Sequence, residues 1–295
     1  MMEIFDHLLN VMLPVLLCAS VGYGLAVTRQ PFDTKLVGNI VRIVGYPTLI
    51  LSSLGKQHIG FESFLMVLLA AAAMITGFAF LGFICLKLLK LPIRAYLSPM
   101  MLSNAGNVGI PVALLAFGAE GVTVAIGFVA VTLIAIFTVG KAIPSGEFHA
   151  EDLLYQPALY AVAVGLVLMA TGWRLPGPIE QSVDILAGLS VPLMLLILGY
   201  SVAKLKLGNI IRAATLTGCH IAIGVLVAMA LVAFIPLQGK ILDAVILMCF
   251  MPPAVSVYLW IDKYQPDYAG DVAGFILLAK LSTLLVVPVV LTLLA

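Results

Sequence analysis

The fold is decided by nine consecutive residues, Ser103-Asn104-Ala105-Gly106-Asn107-Val108-Gly109-Ile110-Pro111. They lie in the middle of an apolar segment that is long enough to cross a membrane. Proline removes a backbone N–H and clashes with the carbonyl four residues earlier, and glycine permits backbone shapes closed to other residues. The stretch therefore predicts a membrane helix that is interrupted at depth, where irregular backbone is tolerated only against protein or a water-filled cavity.

The composition is that of an integral membrane protein. Of the 295 residues, 63% are hydrophobic and 10% are charged, and the net charge is +1. Soluble domains carry about 25% charged residues. The small net charge excludes a global field that would attract nucleic acid, so the expected partners are the lipid bilayer and a small solute. The four cysteines lack the spacing of a metal site or a disulfide framework, and no metal or other cofactor is predicted.

Apolar segments of about 20 residues divide the chain into predicted transmembrane helices. The ten predicted spans are 5–27, 35–55, 62–88, 94–118, 121–140, 157–173, 179–203, 209–235, 240–261 and 270–294. A polar linker at 141–156 separates one five-helix unit, 1–140, from a second, 157–295. Ten Lys and Arg residues fall in one set of loops and three in the other. Because basic loops stay in the cytoplasm, the linker is expected inside and both termini outside the cell.

An odd number of spans in each half reverses the direction in which the second half enters the membrane. A duplicated unit would therefore be an inverted repeat. Prolines recur in the second and fourth spans of both halves, at Pro47 and Pro192 and at Pro111 and Pro252-Pro253. The predicted fold class is an all-α membrane protein of two inverted five-helix repeats in which helices four and nine are broken, and the two breaks would share one small volume if these helices cross. Two broken helices in corresponding places indicate a transporter binding site.

The residues at the two breaks have the chemistry of an anion site. A helix that starts near Pro111 or after Pro253 points free N–H groups and partial positive charge into the gap. Such helix ends favour a carboxylate or a similar anion. Asn104 and Asn107 add polar groups, and Ser256 lies one turn beyond the second break. The alternative is a plain proline kink, with the asparagines bonded to neighbouring helices.

Lys280 is a charged residue about ten residues into predicted span ten, roughly 15 Å deep. A charge at that depth is costly and is expected to face the protein interior. Three functional roles are open: neutralising an anionic substrate, binding a coupling proton, or replacing a sodium ion. A structural role, with Lys280 bound to carbonyls freed at a break, is the alternative. Arg42, nearer the end of span two, is expected to snorkel to the interface.

The sequence lacks HExxH, G-x-S-x-G, DDxxD and P-loop motifs, so it is not expected to be an enzyme. Instead, it resembles the auxin efflux carrier family, which includes plant PIN-type carriers and bacterial malate and malonate permeases. The matching motifs are Asn104-x-x-Asn107-x-Gly109-x-Pro111, Pro192-Leu193-Met194 with Gly199-x-Ser201, Met251-Pro252-Pro253-Ala254-Val255 with Lys263-Tyr264, and Leu281-Ser282-Thr283-Leu284 with Pro288. The short linker makes the resemblance closer to the bacterial permeases than to the plant long-loop carriers.

The resemblance implies a scaffold of spans one, two, six and seven, and a transport domain that moves like an elevator. The predicted substrate-binding residues lie at the crossing or face it from span two: Asn104, Asn107, Gly109, Pro111, Pro252, Pro253, Ser256 and Ser52. Many relatives have Asn in place of Ser256, so the polarity of that side departs from the family pattern.

The predicted function is secondary active transport of small organic anions, such as dicarboxylates, across the inner (plasma) membrane. A receptor that binds a small carboxylate without moving it, or a channel, are the alternatives. The substrate, the direction of transport, the coupling ion and the oligomeric state are left open. Proton coupling and a homodimer are both compatible with the sequence.

Overall fold

The computed structural model describes residues 2–148, 151–204 and 209–294, which are almost entirely helical. Within these ranges there is no strand, and the β-type pairing is limited to one bridge, between Ser103 and Pro253. The helices are α1 (Met2–Val27), α2 (Thr34–Ile40), α3 (Tyr46–Gly55), α4 (Phe61–Leu88), α5 (Ile93–Met101), α6 (Ile110–Ala135), α7 (Lys141–Ser145), α8 (Pro157–Thr171), α9 (Gly177–Ala187), α10 (Ser190–Lys204), α11 (Ile210–Phe234), α12 (Gly239–Met248), α13 (Val255–Tyr264) and α14 (Ala269–Leu294). Wider π-helical turns at Val41–Gly45, Ala105–Gly109 and Ile136–Gly140 join α2 to α3, open α6, and join α6 to α7.

Several helical stretches are long and apolar enough to cross a membrane. In the described part of the chain there are six: Thr34–Gly55, Phe61–Leu88, Ala105–Ser145, Gly177–Lys204, Ile210–Phe234 and Pro266–Leu294. Met12–Val27 and Pro157–Thr171 are apolar but shorter. The chain is therefore a multi-pass helical membrane protein, as its composition predicts. The arrangement of ten spans in an inverted repeat goes beyond this result and stays a prediction.

The longest stretch, Ala105–Ser145, changes direction at Gly118. Gly118 has φ 65° and ψ −145°, a backbone shape that side chains disfavour and glycine permits. As one straight helix, these 41 residues would be about 60 Å long, twice the ~30 Å hydrocarbon core of a bilayer. The turn at Gly118 lies where predicted spans 94–118 and 121–140 meet.

Helical structure is interrupted at both places where proline and glycine predict it. α5 ends at Met101, and helical backbone resumes at Ala105 in a π-helical turn. In the second half, α12 ends at Met248 and α13 begins at Val255. We call residues 102–104 the first break and residues 249–254 the second break.

The two breaks lie side by side and are joined through their main chains. The N–H of Asn104 donates to the carbonyl of Pro252 at 2.7 Å. The N–H of Ala254 donates to the carbonyl of Leu102 at 2.8 Å. All four residues are buried. Each break satisfies polar groups that the other exposes, which makes irregular backbone tolerable in an apolar interior.

The helices fall into two groups according to which of them pack against each other. One group, α1, α2, α3, α8, α9 and α10, packs together on one side of the first break. The other group, α4, α5, α6, α11, α12, α13 and α14, packs around the two breaks. Within the first group, α1 and α10 approach so closely that a Cβ at Gly199 would overlap the carbonyl of Ala19. This contact requires glycine at position 199 and fixes the position of α10.

Candidate functional site

A cavity of about 470 Å³ adjoins both breaks. Its volume lies in the ~300–1,000 Å³ range of small-molecule sites. The wall contributed by the first helix group and the linker consists of Thr34, Gly38, Asn39, Val41, Arg42, Tyr46, Gln156 and Ile197. The wall contributed by the breaks and the second helix group consists of Ser103, Asn104, Ala105, Gly106, Asn107, Val129, Thr132, Leu133, Ile136, Phe137, Ala254, Val255, Ser256, Leu259 and Trp260. The cavity is therefore a cleft between the two groups of helices.

Asn107 is held at the first break by contacts from both walls. Its side-chain Oδ1 accepts a hydrogen bond from the Tyr46 hydroxyl at 2.9 Å. Its backbone N–H donates to Oδ1 of Asn104 at 3.2 Å, so Asn104 caps the π-helical turn that follows the break. With Oδ1 bonded to Tyr46, the amide NH2 of Asn107 is the group available to a ligand.

Gly106 allows the close approach of Tyr46. A Cβ added at Gly106 would overlap the Tyr46 hydroxyl. Gly109 plays a similar part on the other side, because a Cβ there would lie 3.0 Å from Sδ of Met248 at the end of α12. The glycines of the decisive stretch are thus positions where a second element reaches the backbone.

Two helix N-termini face the cavity. The first is the π-helical turn that opens α6, whose residues Ala105, Gly106 and Asn107 line the wall. The second is the start of α13, where Ala254 precedes the helix and no side chain caps it. Unbonded N–H groups at such ends carry partial positive charge and attract anions.

The charge of the cavity wall has one sign. Among the lining residues in the described part of the chain, Arg42 is the one formally charged side chain, and no carboxylate is present. The sequence predicts that Arg42 snorkels to the membrane interface, but the structure places it in the cavity wall. Its Nη1 and Nη2 lie 3.5 Å from the Tyr155 carbonyl and Asn39 Oδ1, at the limit of hydrogen-bond length.

The predicted site residues lie in three places: in the cavity wall, buried beside the cavity, and, for Ser52 alone, outside it. Asn104, Asn107 and Ser256 line the cavity. Gly109, Pro111, Pro252 and Pro253 are buried beside it and shape the backbone. Pro111 lies in the first turn of α6, as predicted from its missing N–H.

Ser52 lies outside the cavity, in contrast to its predicted position opposite the crossing. Its hydroxyl donates to Oδ1 of Asp184 at 2.5 Å, and Lys56 forms an ion pair with the same carboxylate at 2.7 Å. Ser52 is six residues beyond Tyr46, which places it about 9 Å along the helix and about 240° around it. The helix that brings Tyr46 to the cavity therefore turns Ser52 toward α9.

Lys280 is buried, with 6% of its surface exposed, and it lies next to both breaks. It lines a small cavity of about 20 Å³ together with Val108 and Pro252. This space shares no lining residue with the larger cavity. None of the three ion pairs among the described residues involves Lys280. Its charge is therefore close to the breaks but outside the cavity wall.

His220 contacts the main chain of both interrupted segments, which the sequence does not reveal. It lies on α11, and its ring nitrogens are 3.2 Å from the Met100 carbonyl and 3.1 Å from the Met251 carbonyl. The two carbonyls belong to the end of α5 and to the second break, so His220 bridges the two broken elements. Since its partners are main-chain atoms, no side-chain spacing in the sequence signals this role.

Comparisons with known proteins find membrane transport proteins. Residues 145–289 match the family described as membrane transport protein. An uncharacterized transporter of Methanocaldococcus jannaschii is 28% identical over 219 residues, which cover 68% of this chain and 71% of that protein. An uncharacterized transporter of Methanothermobacter thermautotrophicus is 27% identical over 271 residues, covering 85% of this chain and 87% of that protein.

The helical membrane fold and these matches define a membrane transporter and not an enzyme. The family match covers 145 of the 295 residues, all in the second half of the chain, and it includes the motif around Pro253 on which the resemblance to the auxin efflux carrier family rests. The closeness of the chain to the malate and malonate permeases stays a prediction.

Proposed function

We propose that this chain is a secondary transporter of small organic anions, dicarboxylates among them, that binds its substrate in the cavity at the two breaks. The observation that carries the proposal is the polarity of this cavity. Two helix N-termini and Arg42 supply positive charge, Asn107 supplies an amide donor, and no acidic residue lines the wall in the described part of the chain. Such a site attracts carboxylates and repels cations.

The proposal includes ten spans in two inverted five-helix repeats, 1–140 and 157–295, joined by the linker 141–156. Support comes from the two breaks, one in each half, and from their main-chain pairing. The substrate site then lies where broken helices four and nine cross, as transporters of inverted-repeat architecture place it.

The proposal also includes movement of one helix group against the other, as in an elevator. The first group, built from predicted spans one, two, six and seven, would be the scaffold, and the second would carry the breaks. The cavity lies between them, and the Tyr46–Asn107 bond is a contact across that boundary. Movement of the carrier group would break this bond and take Asn107 to the other side of the membrane.

The proposed orientation has both termini outside the cell and the linker in the cytoplasm, in the inner membrane. The cavity extends from the breaks to Thr34 at the start of α2 and to Gln156 at the end of the linker. With the linker inside, this arrangement is a cytoplasm-facing state of the carrier.

The test is uptake by the purified chain in liposomes. We expect saturable uptake of radiolabelled small carboxylates, and we expect Asn107→Ala to abolish it while the protein elutes as a folded species. Asn209→Ala is the matched control, because Asn209 caps α11 away from the cavity. An imposed proton gradient that changes the rate would identify protons as the coupling ion.

Three outcomes contradict the proposal. Normal uptake by Asn107→Ala would show that the substrate does not bind at the breaks. Binding without accumulation would favour a receptor, and flux that rises linearly with concentration would favour a channel. A preceding thermal-shift screen of small carboxylates selects the solute, since a ligand that binds the folded state raises its apparent stability.

A further inference from the structure

The cavity has two polar ends on a single helix face, at Tyr46 and at Arg42. Both residues line the wall, and the π-helical turn Val41–Gly45 lies between α2 and α3 at this point. They are four positions apart: Arg42 lies within this π-helical turn, and Tyr46 is the first residue of α3. Tyr46 marks the end at the first break, where it bonds Asn107. Arg42 marks the end toward the linker, where one of its two acceptors is the Tyr155 carbonyl.

The guanidinium N–H groups of Arg42 make weak hydrogen bonds within the described part of the protein. A guanidinium carries five N–H donors in a planar fork that fits a carboxylate with two bonds. The two protein acceptors are neutral and lie at 3.5 Å each. None of the three ion pairs in the described part of the chain involves Arg42. A charged, partly buried arginine with weak neutral partners is suited to bind an anionic group of a ligand.

Other polar atoms in the same wall also lack partners. The hydroxyls of Ser103 and Thr132 and the indole Nε1 of Trp260 are buried, without a hydrogen-bond partner among the described residues. All three residues line the cavity. A buried polar group without a partner is costly, so these groups also favour a polar ligand or ordered water beside them.

We propose that Arg42 is the specificity-determining residue of this cavity and binds a second anionic group of the substrate. The inference rests on the proposed function, in which the first carboxylate binds at the breaks near Asn107. The guanidinium at the second end then selects a dicarboxylate over a monocarboxylate of the same length. Without a second carboxylate, the guanidinium would lose water on binding and gain no charged partner in return.

The test compares succinate with butyrate, which has the same four-carbon chain and lacks the second carboxylate. Uptake of each acid is measured in liposomes containing wild-type protein, Arg42→Gln, Arg42→Lys or the control Arg174→Gln. Arg174 is exposed and is not among the residues that line the cavity. Elution volume and melting temperature establish that each variant is folded.

We expect wild-type protein to prefer succinate and Arg42→Gln to raise the KM for succinate at least about tenfold, the effect of losing a charge-assisted bond. The KM for butyrate should change much less, so the preference is lost. Arg42→Lys should fall between the two, because it keeps the charge and loses the fork. Arg174→Gln should match the wild type.

The outcomes separate this inference from the proposed function. An unchanged preference in a folded Arg42→Gln protein, with anion uptake intact, would overturn the role of Arg42 alone. Equal loss of both acids would also overturn it, because Arg42 would then support the fold or the movement and not the second carboxylate. Absence of uptake and of thermal-shift binding for every small carboxylate in the wild type would overturn both.

Discussion

Tyr46→Phe tests how the cavity prepares Asn107 for an anion. The change removes one hydroxyl and keeps the ring, so among the described residues the one hydrogen bond lost is that to Asn107 Oδ1 at 2.9 Å. With that bond, the amide oxygen has a partner even when a substrate excludes water, and the NH2 group is left for the carboxylate. Without it, the oxygen of Asn107 has to lose its water when the site fills.

The size of the effect follows from the geometry of this bond. It joins two neutral groups in a partly buried setting, for which the net contribution is about 0.5–1.5 kcal/mol. At about 1.4 kcal/mol per tenfold, the affinity for the substrate should fall by roughly 2- to 12-fold. The maximal rate should fall less or rise, because the same bond has to break if the two helix groups move apart.

The assay is concentration-dependent uptake in liposomes by the wild type and Tyr46→Phe. Substrate affinity from thermal shift compares Tyr46→Phe, Asn107→Ala and the double variant, because Asn107→Ala is expected not to transport. Because both single changes act on one interaction, the double variant should be no worse than Asn107→Ala alone. An unchanged KM in Tyr46→Phe would refute the reasoning. Independent, multiplying effects in the double variant would refute it as well, since they would mean that Tyr46 does not act through Asn107.

Two further predictions concern residues outside the cavity wall. Ser52→Ala should lower the melting temperature by a few degrees, because the bond to Asp184 is lost. The KM for the substrate should not change. A raised KM would indicate that Ser52 contributes to substrate binding. Lys280→Met removes a buried charge that no ion pair balances. The melting temperature should therefore not fall, and if Lys280 neutralises the substrate or binds a coupling proton, uptake should be lost or its pH dependence altered. An unchanged rate and pH profile would make Lys280 structural.

The features predicted well from the sequence are those that the backbone chemistry of single residues determines. Proline and glycine report directly on hydrogen bonding and φ, so the stretch 103–111 and Pro252-Pro253 mark the two interrupted helices, although the first break lies at 102–104 and Pro111 in the first turn of α6. The apolar content likewise determines the class of protein, because only a membrane accommodates so few charges.

The contacts across the cavity could not be predicted in this way. Tyr46 and Asn107 are 61 positions apart, and neither carries a signal for the other. The depth of Arg42 along its helix is readable from the sequence, but the side that it faces depends on the local π-helical turn. The depth predicts snorkelling to the interface, whereas the place of Arg42 in the cavity wall depends on contacts that the sequence does not reveal. The same rotation explains Ser52, which is six residues and about 240° away from Tyr46.

The main-chain bonds between the breaks also constrain how the protein is made. Asn104 and Pro252 are separated by roughly 150 residues of chain, which a ribosome adds in about 7–30 s at ~5–20 residues per second. Until the second break arrives, the N–H of Asn104 and the carbonyl of Leu102 lack the partners they have in the finished protein. The first half of the chain thus enters the membrane with an incomplete helix and has to keep that segment hydrated or shielded. Membrane insertion and folding of this transporter are therefore separate events, and the second cannot finish before the ninth predicted span is in place.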